Sequence, residues 1–345
     1  MNSQTLQPFG QHLLSTVWHA EHDGQRWHAG RLAPREALPV TVADGTVHYG
    51  LSVFEGLKAY RGANGRAHLF RPRDHARRLQ QSALRLALPT VPEALFLEAC
   101  AMLLAAVDDD LPPMGAGAIY LRPTLYASDE GLGLRPGRRH GFTVIANPCI
   151  DPPRKQLRLW AEPVMSRAAP GGLGGIKAAA NYAAGLGGLL AARDRGYDDV
   201  LWLDALTHTA LCEAGTMNVF AELDGVLTTP PLDGTLLAGI TRDTVLTLAA
   251  QRGQATAEAP ITLAALRAAS AAGRLGAMFG TGTACRLVEI VEIGTDQGPI
   301  VPTAGDTVET LYQALKQAQE AGDEGWNWPV PASTVSSAAV EAASA

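Results

Sequence analysis

The sequence predicts an α/β protein of two domains: a smaller α+β domain over residues 1–165 and a larger mixed α/β domain over residues 177–333, joined by a loop at 166–176. Three observations carry this. The chain has 345 residues, and one core serves about 150. Apolar residues make up 47% and charged residues 18%, an ordinary balance for a globular chain with a large core. Short β-rich runs alternate with helical patterns, interrupted once by SRAAPGGLGGIK, whose Gly and Pro content reads as a flexible connection.

The elements follow in order. Residues 39–70 read as short strands broken by turns: PVTVAD, the Gly-containing HYGLSVFEGLKAYRG, and AHLFR. A helix is predicted from Asp74 to Leu88, with Leu79, Ala83 and Leu86 on one apolar stripe, and another near 93–107. AIYLRPTLYA, GFTVIAN and QLRLWAEPV then read as strands closing the first domain. Beyond the linker, KAAANYAAGLGGLLAARDRG reads as a helix, DVLWLD as a strand, and NVFAELDGVLTT as a hairpin turned at Asp224–Gly225. GITRDTVLTLAAQRG is a predicted helix with Thr241 at its N-cap. GAMFGTGTACRLVEIVEI holds two strands around a Gly-Thr turn, and DTVETLYQALKQAQEAG a final helix. The tail, residues 334–345, is small and polar and reads as disordered.

Composition narrows the function. A net charge of −6 with no basic tract argues against nucleic acid, whose binding rests on neutralising phosphates. Cys100, Cys149, Cys212 and Cys285 stand far apart, which fits neither a disulfide framework nor a zinc site and suits a reducing compartment. The amino terminus shows no basic n-region with a long apolar h-region, and no run of about 18 apolar residues occurs, so the expectation is a soluble, cytoplasmic protein. A P-loop, a G-x-G-x-x-G fingerprint, H-E-x-x-H and G-x-S-x-G are all missing, and no metal site is expected.

Four features carry chemistry. Only four of 28 basic residues are Lys, and Lys177 lies between a Gly-rich loop and an Ala-rich helix with no acid within ten residues on either side. Apolar surroundings favour the neutral amine, which is what Schiff-base chemistry with an aldehyde cofactor requires. An ordinary exposed Lys is the bland alternative. Glu213 stands in the uncharged stretch TALCEAGTMNVF, where burial demands a cationic partner such as a pyridinium nitrogen; a solvent-facing strand end is the alternative. Gly239-Ile240-Thr241 opens a helix and Gly280-Thr281-Gly282-Thr283 forms a turn, two anion seats to which Arg78 could add a charge. Finally, His48, Tyr49 and Phe54, with Tyr120 and Arg122 on one strand face, suit a ligand bearing both a carboxylate and a hydrocarbon tail.

In their order, VHYGLSVFEGLKAYRG, FRPRDHARRL, IYLRPTLYASDEGLG, GGIKAAANYAAG, LCEAGTMNVF, TPPLDGTLLAGITRD and MFGTGTAC resemble the branched-chain amino acid aminotransferases. These are pyridoxal 5′-phosphate enzymes of the D-amino acid aminotransferase-like fold, fold type IV, and the likeness runs from about residue 8 to about residue 330. It implies that Lys177 binds the cofactor covalently and shuttles the substrate Cα proton, that Glu213 pairs with the pyridine nitrogen, and that Tyr182 bonds the ring oxygen. Arg78, Ile240, Thr241, Gly282 and Thr283 would hold the phosphate. Tyr49, Phe54, Tyr120, Arg122, Thr216 and Ala284 would form the substrate pocket, with Tyr49 and Arg122 receiving the distal carboxylate of glutamate. The resemblance further implies a homodimer acting on small amino acids and 2-oxo acids. Some members carry C-x-x-C after the GTA turn; here Cys285 is followed three residues later by Val288, so thiol switching does not carry over. The same fold leaves open an aminodeoxychorismate lyase or a D-amino acid or (R)-amine transaminase, and a non-enzymatic ligand sensor is a third reading.

Overall fold

A computed structural model describes residues 9–38, 40–150, 155–321 and 325–331. The chain divides into two compact units, one of Met1–Pro152, Lys177–Ala180 and Ala318–Ala345, the other of Pro153–Ile176 and Asn181–Gln317.

The first unit opens with β1 (Thr16–His22) and β2 (Arg31–Pro34). Of PVTVAD, expected as a strand, the described residues 40–44 form a turn instead: the Asp44 carboxylate accepts from Thr41 N at 2.9 Å and Thr41 Oγ1 at 3.4 Å. Such local side-chain bonding competes with extended pairing. The short helix α1 (Gly45–Tyr49) follows, then β3 (Ser52–Phe54), β4 (Leu57–Arg61) and β5 (Ala67–Phe70). Helices α2 (Pro72–Arg85) and α3 (Glu93–Ala106) occupy the two predicted positions. Leu79 and Ala83 are buried in α2, whereas Leu86 is its C-cap. Strands β6 (Ala118–Ala127) and β7 (His140–Cys149) complete an antiparallel sheet in the order β5-β4-β6-β7-β1-β2, with β3 also on β6. Helix α3 packs against β1 and β7, so Phe96 meets Phe142 at 6.2 Å between ring centroids.

In the second unit, β8 (Gln156–Ala161), assigned from sequence to the first domain, runs parallel to strands of the second sheet. The predicted single helix at 177–196 is two, α4 (Ala179–Ala184) and α5 (Leu186–Asp194), interrupted where Gly185 N bonds the Tyr182 carbonyl three residues back. Next come β9 (Asp199–Leu203), β10 (Leu211–Ala214), and the predicted hairpin of β11 (Met217–Leu223) and β12 (Val226–Thr229). Its turn has φ of 52° at Asp224 and 77° at Gly225, the backbone that lets a two-residue loop follow strand twist.

Helix α6 (Ile240–Gln251) starts one residue before the expected cap: Gly239 is the N-cap and Thr241 lies inside the first turn. The remaining elements are β13 (Thr256–Glu258), α7 (Leu263–Ala271), β14 (Leu275–Gly282), β15 (Arg286–Gly294) and α8 (Thr307–Glu320). The sheet runs β10-β9-β8-β15-β14-β11, and β11 pairs back with β10, closing a ring; β12 and β13 extend it from β11. Leu159, Leu201, Val219, Met278 and Ile290 belong to the core of this unit. Strand β16 (Asn327–Pro329) returns to pair with β5 in the first sheet. The 334–345 tail lies outside the described residues. Among the described residues, no helix is long and apolar enough to cross a membrane.

Candidate active site

In the first unit, β3, β4 and β6 bring the aromatic and basic residues together. Phe54 N donates to the Lys177 carbonyl at 3.0 Å, and Lys177 N donates to Ser82 Oγ of α2 at 3.0 Å. These bonds fix where the Lys177 side chain begins. Its Nζ lies 5.0 Å from the Phe54 ring centroid, and Arg122 lies 4.6 Å from the same ring. Tyr120 and Arg122 share a strand face as predicted, with Arg122 Nη2 donating to the Tyr120 hydroxyl at 3.1 Å. That hydroxyl can approach so closely because residue 56 is Gly; a Cβ there would stand 1.8 Å from it. Burial pushes the Lys177 amine down from 10.5 to about 8, with the nearby Arg78 charge acting in the same direction. The neutral amine is therefore abundant near pH 8.

Arg78 is buried, not on a solvated face: Nε and Nη2 meet the two oxygens of Glu55 at 2.7 and 2.8 Å. Glu55 escaped the sequence reading because its partner stands 23 residues away. Lys58 also escaped it. It is 2% exposed and directly opposite Tyr120 in the β4–β6 register, hence on the face that carries Tyr120 and Arg122. Tyr49 is exposed at the end of α1, and its hydroxyl donates to the Leu132 carbonyl. Among the described residues no hydrogen bond joins it to Arg122.

In the second unit, Glu213 lies inside β10 and is buried. One carboxylate oxygen accepts from Arg167; the other accepts from Asn218 Nδ2 at 3.2 Å and Leu237 N at 3.3 Å. Arg167, 46 residues upstream, was not foreseen, although a buried carboxylate demanded a cation. Glu213 and Tyr182 line a cavity of about 190 Å³ together with Thr216, Trp202, Leu237 and Asn181. A dry cavity of about 150 Å³ holds benzene, so a six-membered ring fits here. Ile240 and Thr241 form the first turn of α6, whose N-cap Gly239 supplies no side-chain cap. Gly282 ends β14, against which α6 packs, and Thr283 and Ala284 begin the turn into β15. The two segments expected to be anion seats thus belong to neighbouring elements. Cys285 Sγ contacts Met217 Sδ at 3.5 Å. Among the described residues no His, Cys, Asp and Glu cluster could hold a metal ion.

The family model described as amino-transferase class IV matches residues 52–287. Branched-chain-amino-acid transaminase 1 of Bacillus subtilis (strain 168) is 35% identical over 331 residues, 93% of each chain. The solved branched-chain aminotransferase of the thermophilic archaeon Thermoproteus uzoniensis, with norvaline, superposes with a TM-score of 0.75 at 28% identity, covering 92% of this chain and all of that one. The Escherichia coli branched-chain amino acid aminotransferase superposes equally well, with a TM-score of 0.75 at 25% identity over 92% of this chain and 99% of that one. A family model that covers more than half of the sequence, and a relative 35% identical along nearly all of it, lead to one conclusion: the chain belongs to the class IV aminotransferases.

Proposed function

We propose that this class IV aminotransferase uses pyridoxal 5′-phosphate to move the amino group of L-leucine, L-isoleucine or L-valine to 2-oxoglutarate, yielding branched 2-oxo acids and L-glutamate. The observation that carries the reading is the Lys177 amine, held beside Phe54 with its pKa lowered to about 8. Two features fit the cofactor: that amine, and the Glu213 carboxylate on the wall of a ring-sized cavity. When bound, the cofactor supplies an aldehyde for covalent attachment and a ring that accepts electrons from the substrate.

The chain's own residues do the rest. Lys177 anchors the cofactor and then takes and returns the proton at the substrate Cα. Glu213, held by Arg167 and Asn218, would pair with the ring nitrogen. The Tyr182 hydroxyl would donate to the ring oxygen. Arg78, the first turn of α6 at Ile240 and Thr241, and the Gly282–Thr283 turn are the groups that would hold the phosphate. Tyr49, together with Phe54, Tyr120 and Arg122 of one sheet, would receive the substrate side chain, and Thr216 and Ala284 are assigned to substrate as well. A branched side chain packs against the aromatic faces, and the distal carboxylate of glutamate pairs with Arg122. Such a pocket separates substrates that differ by one methylene by only about 1–3 kcal/mol, so all three branched amino acids react. The working form is a homodimer in the cytoplasm that handles small amino acids and 2-oxo acids, not nucleic acid.

The test is a panel of L-Leu, L-Ile, L-Val, D-Ala and aminodeoxychorismate, following 2-oxo acid formation with and without 2-oxoglutarate. Turnover of the L-branched substrates only with an acceptor is expected; product without any acceptor would overturn it. Borohydride should fix the cofactor to the native chain and not to Lys177→Ala, and a variant that is still labelled removes Lys177 from this role.

A further inference from the structure

Glu55 is 0% exposed, and no surface reason places a carboxylate there. Burying it is costly unless both oxygens are met, and they are. Arg78 Nε donates to Oε1 at 2.7 Å and Nη2 to Oε2 at 2.8 Å, the parallel two-bond arrangement that fixes a guanidinium plane. His75 Nδ1 lies 2.6 Å from Oε2, and Gly56 N donates to the same oxygen at 3.2 Å. Burial alone would raise the Glu55 carboxyl, but Arg78 and His75 outweigh it and hold it well below the usual carboxylate range. His75 is buried as well, and burial lowers its pKa; because a carboxylate oxygen only accepts, its Nδ1–H is the donor to Glu55. His75 and Arg78 stand three residues apart on the buried face of α2, which aims both at one carboxylate.

We propose that Glu55, braced by His75, is a positioning residue for Arg78: it locks the guanidinium plane so that the opposite edge of the fork is presented to the cofactor phosphate. This rests on the reading that Arg78 binds that phosphate. A carboxylate beside Arg78 subtracts positive charge from an anion seat, so the arrangement gives up attraction in exchange for direction. The sign of the effect therefore separates orientation from simple charge balance. The groups facing Lys177 are Arg78, Glu55, Tyr120 and Arg122, with His75 behind Glu55, so the same ion pair also stands beside the amine.

The experiment loads native enzyme and Glu55→Gln with pyridoxal phosphate or with pyridoxal, which lacks the phosphate, and measures retention of each by absorbance at fixed pH. Positioning predicts that affinity for pyridoxal phosphate falls about 10- to 100-fold, by analogy with the loss of the partner that orients a metal-binding side chain, while pyridoxal changes less than about twofold. Inorganic phosphate should compete correspondingly less well against the variant. Unchanged or tighter binding of pyridoxal phosphate would overturn the proposal in favour of charge balance. Equal losses for both cofactors, with a lower melting temperature, would overturn it in favour of simple structural support. Should Glu55→Gln fail to fold, His75→Gln keeps the ion pair and must show a smaller loss confined to pyridoxal phosphate; a loss shared by pyridoxal refutes the role. Native enzyme that binds neither cofactor refutes the proposed function instead.

Discussion

The lowered pKa of Lys177 makes a prediction about stability that needs no catalysis to test. In the unfolded chain the amine titrates near 10.5; in the fold burial brings it to about 8. Between these values unfolding takes up a proton, so the fold gains stability as pH rises. Below pH 8 both states carry the charge, and holding it in the fold costs the full difference. At about 1.4 kcal/mol per pH unit, the gap amounts to about 3 kcal/mol, an upper bound because Lys177 keeps some accessible surface. Lys177→Met fills similar volume without a charge. Urea unfolding of cofactor-free protein at constant ionic strength should show the variant more stable by up to about 3 kcal/mol at pH 7 and by about 2 kcal/mol at pH 9, the difference vanishing above 10.5. Met packing adds a constant offset, so the fall between pH 7 and pH 9 is the diagnostic quantity. A difference that stays flat or widens as pH rises would refute the idea that this site stores a destabilised amine.

Two further outcomes follow from the same geometry. Arg122→Met should raise KM for 2-oxoglutarate by about 10- to 100-fold, the loss of one charge-assisted bond, while single-turnover reaction with L-leucine stays near native; parallel losses in both half-reactions would remove Arg122 from carboxylate recognition. Glu213→Leu leaves the buried Arg167 without its carboxylate and should destabilise the protein by about 3–5 kcal/mol as well as abolish turnover. Replacing Arg167 by Met in that background should restore much of the stability but none of the activity, as calorimetry and amino-transfer assays on the pair would reveal.

Local signals in the chain were legible where they were self-sufficient. Helices α2 and α3 follow from apolar spacing, and the β11–β12 hairpin from Asp224–Gly225. Lys177 stood out because no acid accompanies it nearby in sequence. What stayed hidden depends on partners far along the chain. Glu55 meets Arg78 from 23 positions away, and Arg167 reaches Glu213 over 46 positions. PVTVAD misled because its β-branched residues suggest a strand while a single Asp44 carboxylate bends the backbone into a turn. Thr241 is a good cap by type, yet the helix begins one residue earlier, so its hydroxyl lies in the first turn. The pairing of β10 with β11 that closes the second sheet had no sequence signal, because ring closure depends on the twist of six strands together.

That ring has a consequence for how the protein can drift over time. Glu213 sits on a strand hydrogen-bonded along both sides, to β9 and to β11. With no loose border, β10 can neither slide by one position, which would turn the acid outward, nor recruit a foreign strand. The aim of one carboxylate is thus guarded by geometry shared among all its neighbours.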